Sequence, residues 1–172
     1  MKKLNLGSGF DYKRGWINVD INNKDIYGRK IKIDVKHDLN KSPWPFKKNE
    51  FDFVLMKGVL EHMSDIDKTI KELARITKTG AKIKISVPYF TSYFAYRELY
   101  THKFSLNALQ LFGIFKKYRL IIISKKLRNN NKFLKWIEIF VNFNESTQNF
   151  YERFFSGIFP MNQIEWVLRV EK

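Results

Sequence analysis

Three groups of residues in this sequence have types and spacings that could do chemistry. The first is Gly7-Ser8-Gly9, reached straight from Leu4-Asn5-Leu6. Glycines at such a turn let the backbone take positive φ and come close to a ligand. The second is a pair of aspartates, Asp20 and Asp38. At a strand end Asp20 can accept from both hydroxyls of a ribose, while Asp38 can accept from an adenine amino group and Leu39 offers apolar contact to the ring. The third is His62 and His102, with Glu61 and Tyr89 nearby, as candidate general bases for an oxygen nucleophile. Either aspartate alone reads as a solvated turn; the ordered set of glycine loop, strand-end Asp and loop Asp-Leu is what points to a ligand.

Other chemistries fall away. The chain has no cysteine, which excludes a thiolate zinc site, an iron–sulfur cluster, a disulfide framework and a catalytic thiol. Its 3 histidines are far apart in sequence, so no metal site is expected. A dinucleotide fingerprint needs a third glycine where Tyr12 stands, and the Lys-Ser/Thr of a Walker loop is missing. A cofactor without phosphates is the reading that fits the loop.

The elements that must position these residues follow from periodicity. Short β-branched and aromatic runs read as strands from Lys3 to Leu6, Trp16 to Asp20, Ile31 to Val35, Phe51 to Met56 and Lys82 to Val87. Between the last two, Ile66, Ile70, Leu73, Ala74 and Ile76 form a helical stripe over Asp65 to Lys78, with Gly80 beyond its end. Strand, helix, strand alternation means parallel strands with crossovers. Further on, a helix is expected from about Ser105 to Phe115 and a strand from about Tyr118 to Leu127. Apolar helices follow over Lys132 to about Phe143 and Gln148 to Phe155. The last strand, Gln163 to Val170, alternates cleanly, as an edge or antiparallel strand does. The expected fold is α/β: a Rossmann-like seven-stranded, mostly parallel sheet with an antiparallel last strand and helices on both faces. At 172 residues this is a single domain, with residues 1–90 as a cofactor-binding half and 91–172 as an acceptor-side half carrying the aromatic helices of 132–155.

Leu4 to Gly9, Gly15 to Asp20, His37-Asp38-Leu39, Trp44-Pro45-Phe46 with Phe51 to Val54, and Val59-Leu60-Glu61-His62 together resemble the class I S-adenosylmethionine-dependent methyltransferases, most closely their small type-11-like predicted subgroup. Leu73 to Ile76 with Thr79-Gly80, Ile83 to Pro88, and Thr101-His102-Lys103-Phe104-Ser105 are similar to later segments of the same group. The resemblance implies methyl transfer from S-adenosylmethionine, with S-adenosylhomocysteine as product. It implies that Leu6, Gly7, Ser8 and Gly9 line the methionine and ribose part, Asp20 and Ile21 the ribose, Asp38 and Leu39 the adenine, and Lys57-Gly58 the sulfonium. Only eleven positions separate Gly9 from Asp20, so the family's first crossover helix must shrink to a short turn here. Ser86-Val87-Pro88-Tyr89 stands after strand five rather than strand four, which argues against amino-directed methylation. The expected acceptor is a small molecule or glycan, methylated at oxygen; RNA or protein as acceptor, and a cofactor-binding protein without turnover, are the alternatives.

The net charge of +15 raises a nucleic-acid partner, since cations that neutralise phosphates gain from counterion release. Yet the acid-free cluster from Lys116 to Lys132 flanks one strand and splits between both ends of the sheet, which disfavours a continuous groove. In the apolar helix from Lys132 most faces are hydrophobic, so it is buried, an interface or lipid-facing. Charges from Lys132 to Phe155 sum to zero, which ranks a cap over the pocket or a homodimer face ahead of peripheral membrane contact. No apolar run approaches ~18 residues, and the start of the chain is unlike a signal peptide. A cytoplasmic enzyme is expected.

Overall fold

The computed structural model describes residues 1–25, 27–96, 111–131 and 134–172. Its strands are β1 (Lys3–Leu6), β2 (Ile17–Asp20), β3 (Val35–Lys36), β4 (Phe51–Lys57), β5 (Thr77–Pro88), β6 (Leu120–Arg128) and β7 (Gln163–Val170). They form one seven-stranded sheet in the order β3-β2-β1-β4-β5-β7-β6. Neighbours from β3 to β5 are parallel, and β7 is antiparallel to both β5 and β6. The clean alternation of β7 marks its antiparallel direction rather than an edge. Ile164, Trp166, Leu168 and Val170 are buried on one face, and the strand lies between β5 and β6.

Helices are α1 (Ile66–Ile76), α2 (Tyr93–Tyr96), α3 (Phe112–Lys117), α4 (Lys135–Val141) and α5 (Glu145–Phe154). Asp65 caps α1 by accepting from the Lys68 amide at 2.9 Å, and Ile70, Leu73, Ala74 and Ile76 point into the core as their spacing predicts. Asn144 and Thr147 make a reciprocal capping box, so α5 begins at Glu145, earlier than Gln148. The helix expected from Ser105 falls mostly outside the described residues.

Two strands are shifted from their expected bounds. The strand expected from Ile31 to Val35 forms only over Val35–Lys36, while ahead of it Ile31 N donates to Asn23 O and Asp34 N to Asn18 O. By contrast β5 starts directly after α1, at Thr77, and absorbs an irregular register against Phe51 and Phe53.

The core lies on one face of the sheet, where Leu4, Leu6, Val54, Met56, Ile83 and Ile85 are buried. Phe115 of α3 meets Trp166 there edge-on at 6.0 Å. Helices α4 and α5 follow the outer edge of β6. Asn142 donates to the Leu127 carbonyl at 2.7 Å and accepts from its amide at 2.8 Å, and Gln148 donates to Lys125 O at 3.2 Å, so side-chain amides replace a missing strand. The opposite face is met by the loop 7–16, Trp16 lying edge-on to Phe53 at 5.5 Å, because the first crossover is too short for a helix. Asn18, fully buried, holds this loop. Its side chain accepts from Lys13 N at 2.8 Å and donates to Lys13 O, Trp16 O and Asp34.

Candidate active site

The parallel strands β1, β2, β3 and β4 end on one side, and their following loops build the site. Gly7 has φ +63° and Gly9 φ +47°, both in the left-handed region. This turn lets Ser8 N donate to Val19 O at 2.9 Å, which ties the loop onto β2. Asp20, the last residue of β2, accepts from Gly9 N at 2.8 Å through Oδ2 and from Asn22 N at 3.3 Å through Oδ1. A carboxylate has about four acceptor positions, so two remain for a ligand.

Beyond β3, Asp38 accepts from Asn40 N at 3.0 Å, and Asn40 Oδ1 takes both Ser64 N and Ser64 Oγ, at 2.8 and 2.7 Å. Leu39 O accepts from the Trp44 indole at 3.0 Å. The Trp44 to Phe46 segment is gripped from α1: Glu72 accepts from Trp44 N at 2.7 Å, and Arg75 donates to the carbonyls of Trp44 and Phe46. Burial alone would raise the Glu72 carboxyl; the Arg75 guanidinium and the Trp44 amide outweigh it and hold the group below the usual carboxylate range.

These loops enclose a cavity of about 320 Å³ whose wall includes Asp20, Ile21, His37, Asp38, Leu39 and His62. A second cavity of about 250 Å³ is lined by Asn5, Ser8, Asp11, Lys57, Ser86 and Gln163. Gly7 and Gly58 belong to both walls, so the cavities meet where β1 and β4 end. Gly58, at φ +65°, donates to Ser86 O at 2.8 Å. Ser8 Oγ is buried and has no hydrogen-bond partner among the described residues, an unspent polar atom in the wall of the second cavity.

Most of the residues expected at a site therefore come together. Asp20, Ile21, Asp38 and Leu39 share the first cavity, Ser8 and Lys57 the second, and Gly7 and Gly58 the junction. Gly9 acts through its amide on Asp20, while Leu6 is buried in the core cluster and touches neither wall. His62 stands in the wall of the first cavity, beside Asp38 and Leu39. His102 lies outside the described residues. Tyr89 is buried after β5 and donates to Glu152 Oε1 at 2.7 Å. Burial and that carboxylate push its hydroxyl well above the ordinary tyrosine range, so it is a donor at neutral pH and no base. Sequence reading missed Asn5, Ser86 and Gln163. Gln163 arrives from β7, and only the antiparallel register Pro88↔Gln163 brings it to the cavity.

Residues 9–85 match the family model described as a methyltransferase domain. No curated protein matches the chain. Among solved structures, an S-adenosylmethionine-dependent methyltransferase from Archaeoglobus fulgidus superposes with a TM-score of 0.70 at 17% identity, covering 98% of this chain and 85% of that one. A methyltransferase of the same description from Mesorhizobium loti gives 0.66 at 10% identity, over 98% and 90% of the two chains. Phosphoethanolamine N-methyltransferase 2 from Haemonchus contortus, in complex with S-adenosyl-L-methionine, gives 0.62 at 17% identity, over 100% of this chain and 50% of that one. At such identities the likeness to these structures is one of fold.

Proposed function

We propose that the chain is a class I S-adenosylmethionine-dependent methyltransferase, a reading supported by the match of residues 9–85 to a methyltransferase domain, and that it transfers a methyl group to a small-molecule or glycan-type acceptor, at oxygen. The observation that carries the reading is the pair of cavities meeting at Gly7 and Gly58, one walled by Asp20, Asp38 and Leu39 and the other by Ser8, Lys57 and Ser86. These residues fit the cofactor. Two carboxylates with free acceptor positions suit a ribose and an amino-purine, and Leu39 gives an apolar wall for the ring. Buried Ser8 Oγ, with no partner among the described residues, suits a polar group in the second cavity.

When bound, the cofactor supplies a methyl group activated on a sulfonium. What the chain contributes is positioning, which for an in-line displacement provides most of the catalysis. Gly7 and Gly58 admit a ligand close to the backbone. Asp20, oriented by Gly9 N, holds hydroxyls, and Lys57 brings positive charge to the second cavity. For an oxygen acceptor a general base would add about 10²–10⁴-fold. His62 is the candidate within the described residues and His102 the other.

The test is thermal shift with S-adenosylhomocysteine, followed by turnover across hydroxyl-bearing acceptors. Stabilisation that disappears in Asp20→Ala and Asp38→Ala is expected. Stabilisation that survives both changes removes the cofactor assignment. Equal rates for His62→Ala, His102→Ala and the unaltered chain on a true acceptor remove the base.

A further inference from the structure

The helical pair α4 and α5 carries a surface that methyl transfer does not use. In α4, Trp136, Ile139 and Phe140 are exposed, at 65, 73 and 54%, and Phe143 just past its end at 79%. The face turned inward holds Ile137 and Val141, both buried. In α5, Phe150 and Phe154 are also exposed, with ring centroids 5.2 Å apart, and exposed Ile158 follows. Scattered exposed apolar residues are ordinary, but this many large ones on adjacent helices mark an interaction surface.

The charges around this surface are sorted by burial. Of the acids on the two helices, Glu138 is buried against Arg128, Lys135 and the Asn129 amide, and Glu152 receives Tyr89 Oη. Glu145 alone is exposed. Lys135 is half outside, and exposed Arg153 lies over the Phe154 ring, 5.4 Å from its centroid. Facing outward, the described residues of the segment therefore carry Lys135 and Arg153 against Glu145, a cationic balance beside the apolar side chains. Cations and aromatics beside exposed aliphatics are the make-up of a helix that lies in a lipid interface.

We propose that α4 and α5 form a docking surface for an anionic membrane. The charge of the whole chain, +15, attracts such a surface and repels a second copy of itself. Both helices follow Arg128, the end of β6 that shares its side of the sheet with Pro88 and Gln163.

The chain itself provides the probe. Trp44 and Trp166 are buried and Trp16 is packed on Phe53, so a change in tryptophan emission on adding vesicles reports chiefly Trp136. Titration with vesicles of phosphatidylcholine mixed with phosphatidylglycerol should shift the emission to the blue and co-sediment the protein. Added salt should weaken this binding, and vesicles of phosphatidylcholine alone should bind far less. Trp136→Phe should abolish the shift while co-sedimentation persists. Ile139→Ser combined with Phe143→Ser should weaken binding by roughly tenfold or more for each side chain, with the circular dichroism unchanged. The proposal is overturned if neither vesicle type co-sediments the protein, or if sedimentation shows a dimer that this double variant dissociates. Vesicle binding is read without cofactor, so its failure leaves the methyl-transfer reading standing.

Discussion

A methyl group placed on the α carbon of Gly7 would lie 2.1 Å from Cγ2 of Val59, because the loops after β1 and β4 touch at the junction of the two cavities. Val59 is β-branched and has little rotamer freedom with which to withdraw. Gly9, two positions on, has open space around it. Alanine in left-handed backbone costs about 1–2 kcal/mol, and Gly9→Ala should lose about that much. Gly7→Ala pays the same conformational cost and the collision besides, so its urea midpoint should fall further and its response to S-adenosylhomocysteine should vanish. Equal midpoints for the two variants would contradict the close approach.

Asp20 should separate ligand binding from stability. Asparagine at this position keeps an oxygen for Gly9 N but replaces the second acceptor with a donor. Hydrogen bonds to a charged group are worth about 1.5–3 kcal/mol, so Asp20→Asn should weaken S-adenosylhomocysteine by roughly tenfold or more. The melting temperature without ligand should change little. Calorimetric titration giving unchanged affinity would take Asp20 out of the site.

How much of this was legible in the sequence depends on whether a signal is local. Asp20 and Asp38 announce themselves because the first ends a strand-like run and the second lies just past the next one, and parallel strands put their carboxyl ends on one side. The shortened crossover follows from counting residues between Gly9 and Asp20. Gln163 and Ser86 gave no sign, since their meeting depends on the antiparallel pairing of β7 with β5. The exterior of α5 was hidden for a related reason. Summed charge does not say which acids are turned inward, and Glu152 is paired with Tyr89, a group distant in sequence.

Asn18 makes a prediction about the first crossover. It is buried and satisfies both Lys13 backbone groups, so Asn18→Leu leaves those groups and Asp34 without their partner. Each orphaned polar group costs about 1–3 kcal/mol, and the loop has no helix to fall back on. The variant should lose about 2–4 kcal/mol in urea unfolding. It should also be cut by trypsin after Lys13 or Arg14 while the rest of the fold resists. A variant as protease-resistant as the parent would show that the loop is held by something else.

Acid sensitivity should trace in part to Glu72 and Glu138. Burial raises both carboxyls, but Arg75 and the Trp44 amide overcome it for Glu72, and the Asn129 amide, Lys135 and Arg128 for Glu138; both are held below the usual range. A carboxyl lowered in the folded state contributes stability above its unfolded value, and the contribution is lost as pH falls through the folded value. Melting temperature should therefore decline below about pH 4. Glu72→Gln should be less stable than the parent at neutral pH, with the gap closing as the pH is lowered through this range. A gap independent of pH would mean that the carboxylate charge contributes nothing there.

At the alkaline end the sign reverses, and Tyr89 is the group to watch. Burial raises its hydroxyl first and the bond to Glu152 raises it further, while burial pushes Tyr151 up to about 12. A phenol raised in the folded state stabilises fully below its unfolded value, near 10. That stability is lost as pH climbs from the unfolded towards the folded value, because the unfolded chain ionises first. Tyr89→Phe keeps the ring in place and removes the titration. The parent should lose melting temperature more steeply above about pH 10 than Tyr89→Phe does, the two curves converging as alkalinity rises. The same variant tests the chemistry, because a hydroxyl that stays protonated at neutral pH can orient α5 through Glu152 but cannot take a proton from an acceptor. Turnover by Tyr89→Phe should keep the pH profile of the parent, and a lost acidic limb in that profile would make Tyr89 a base.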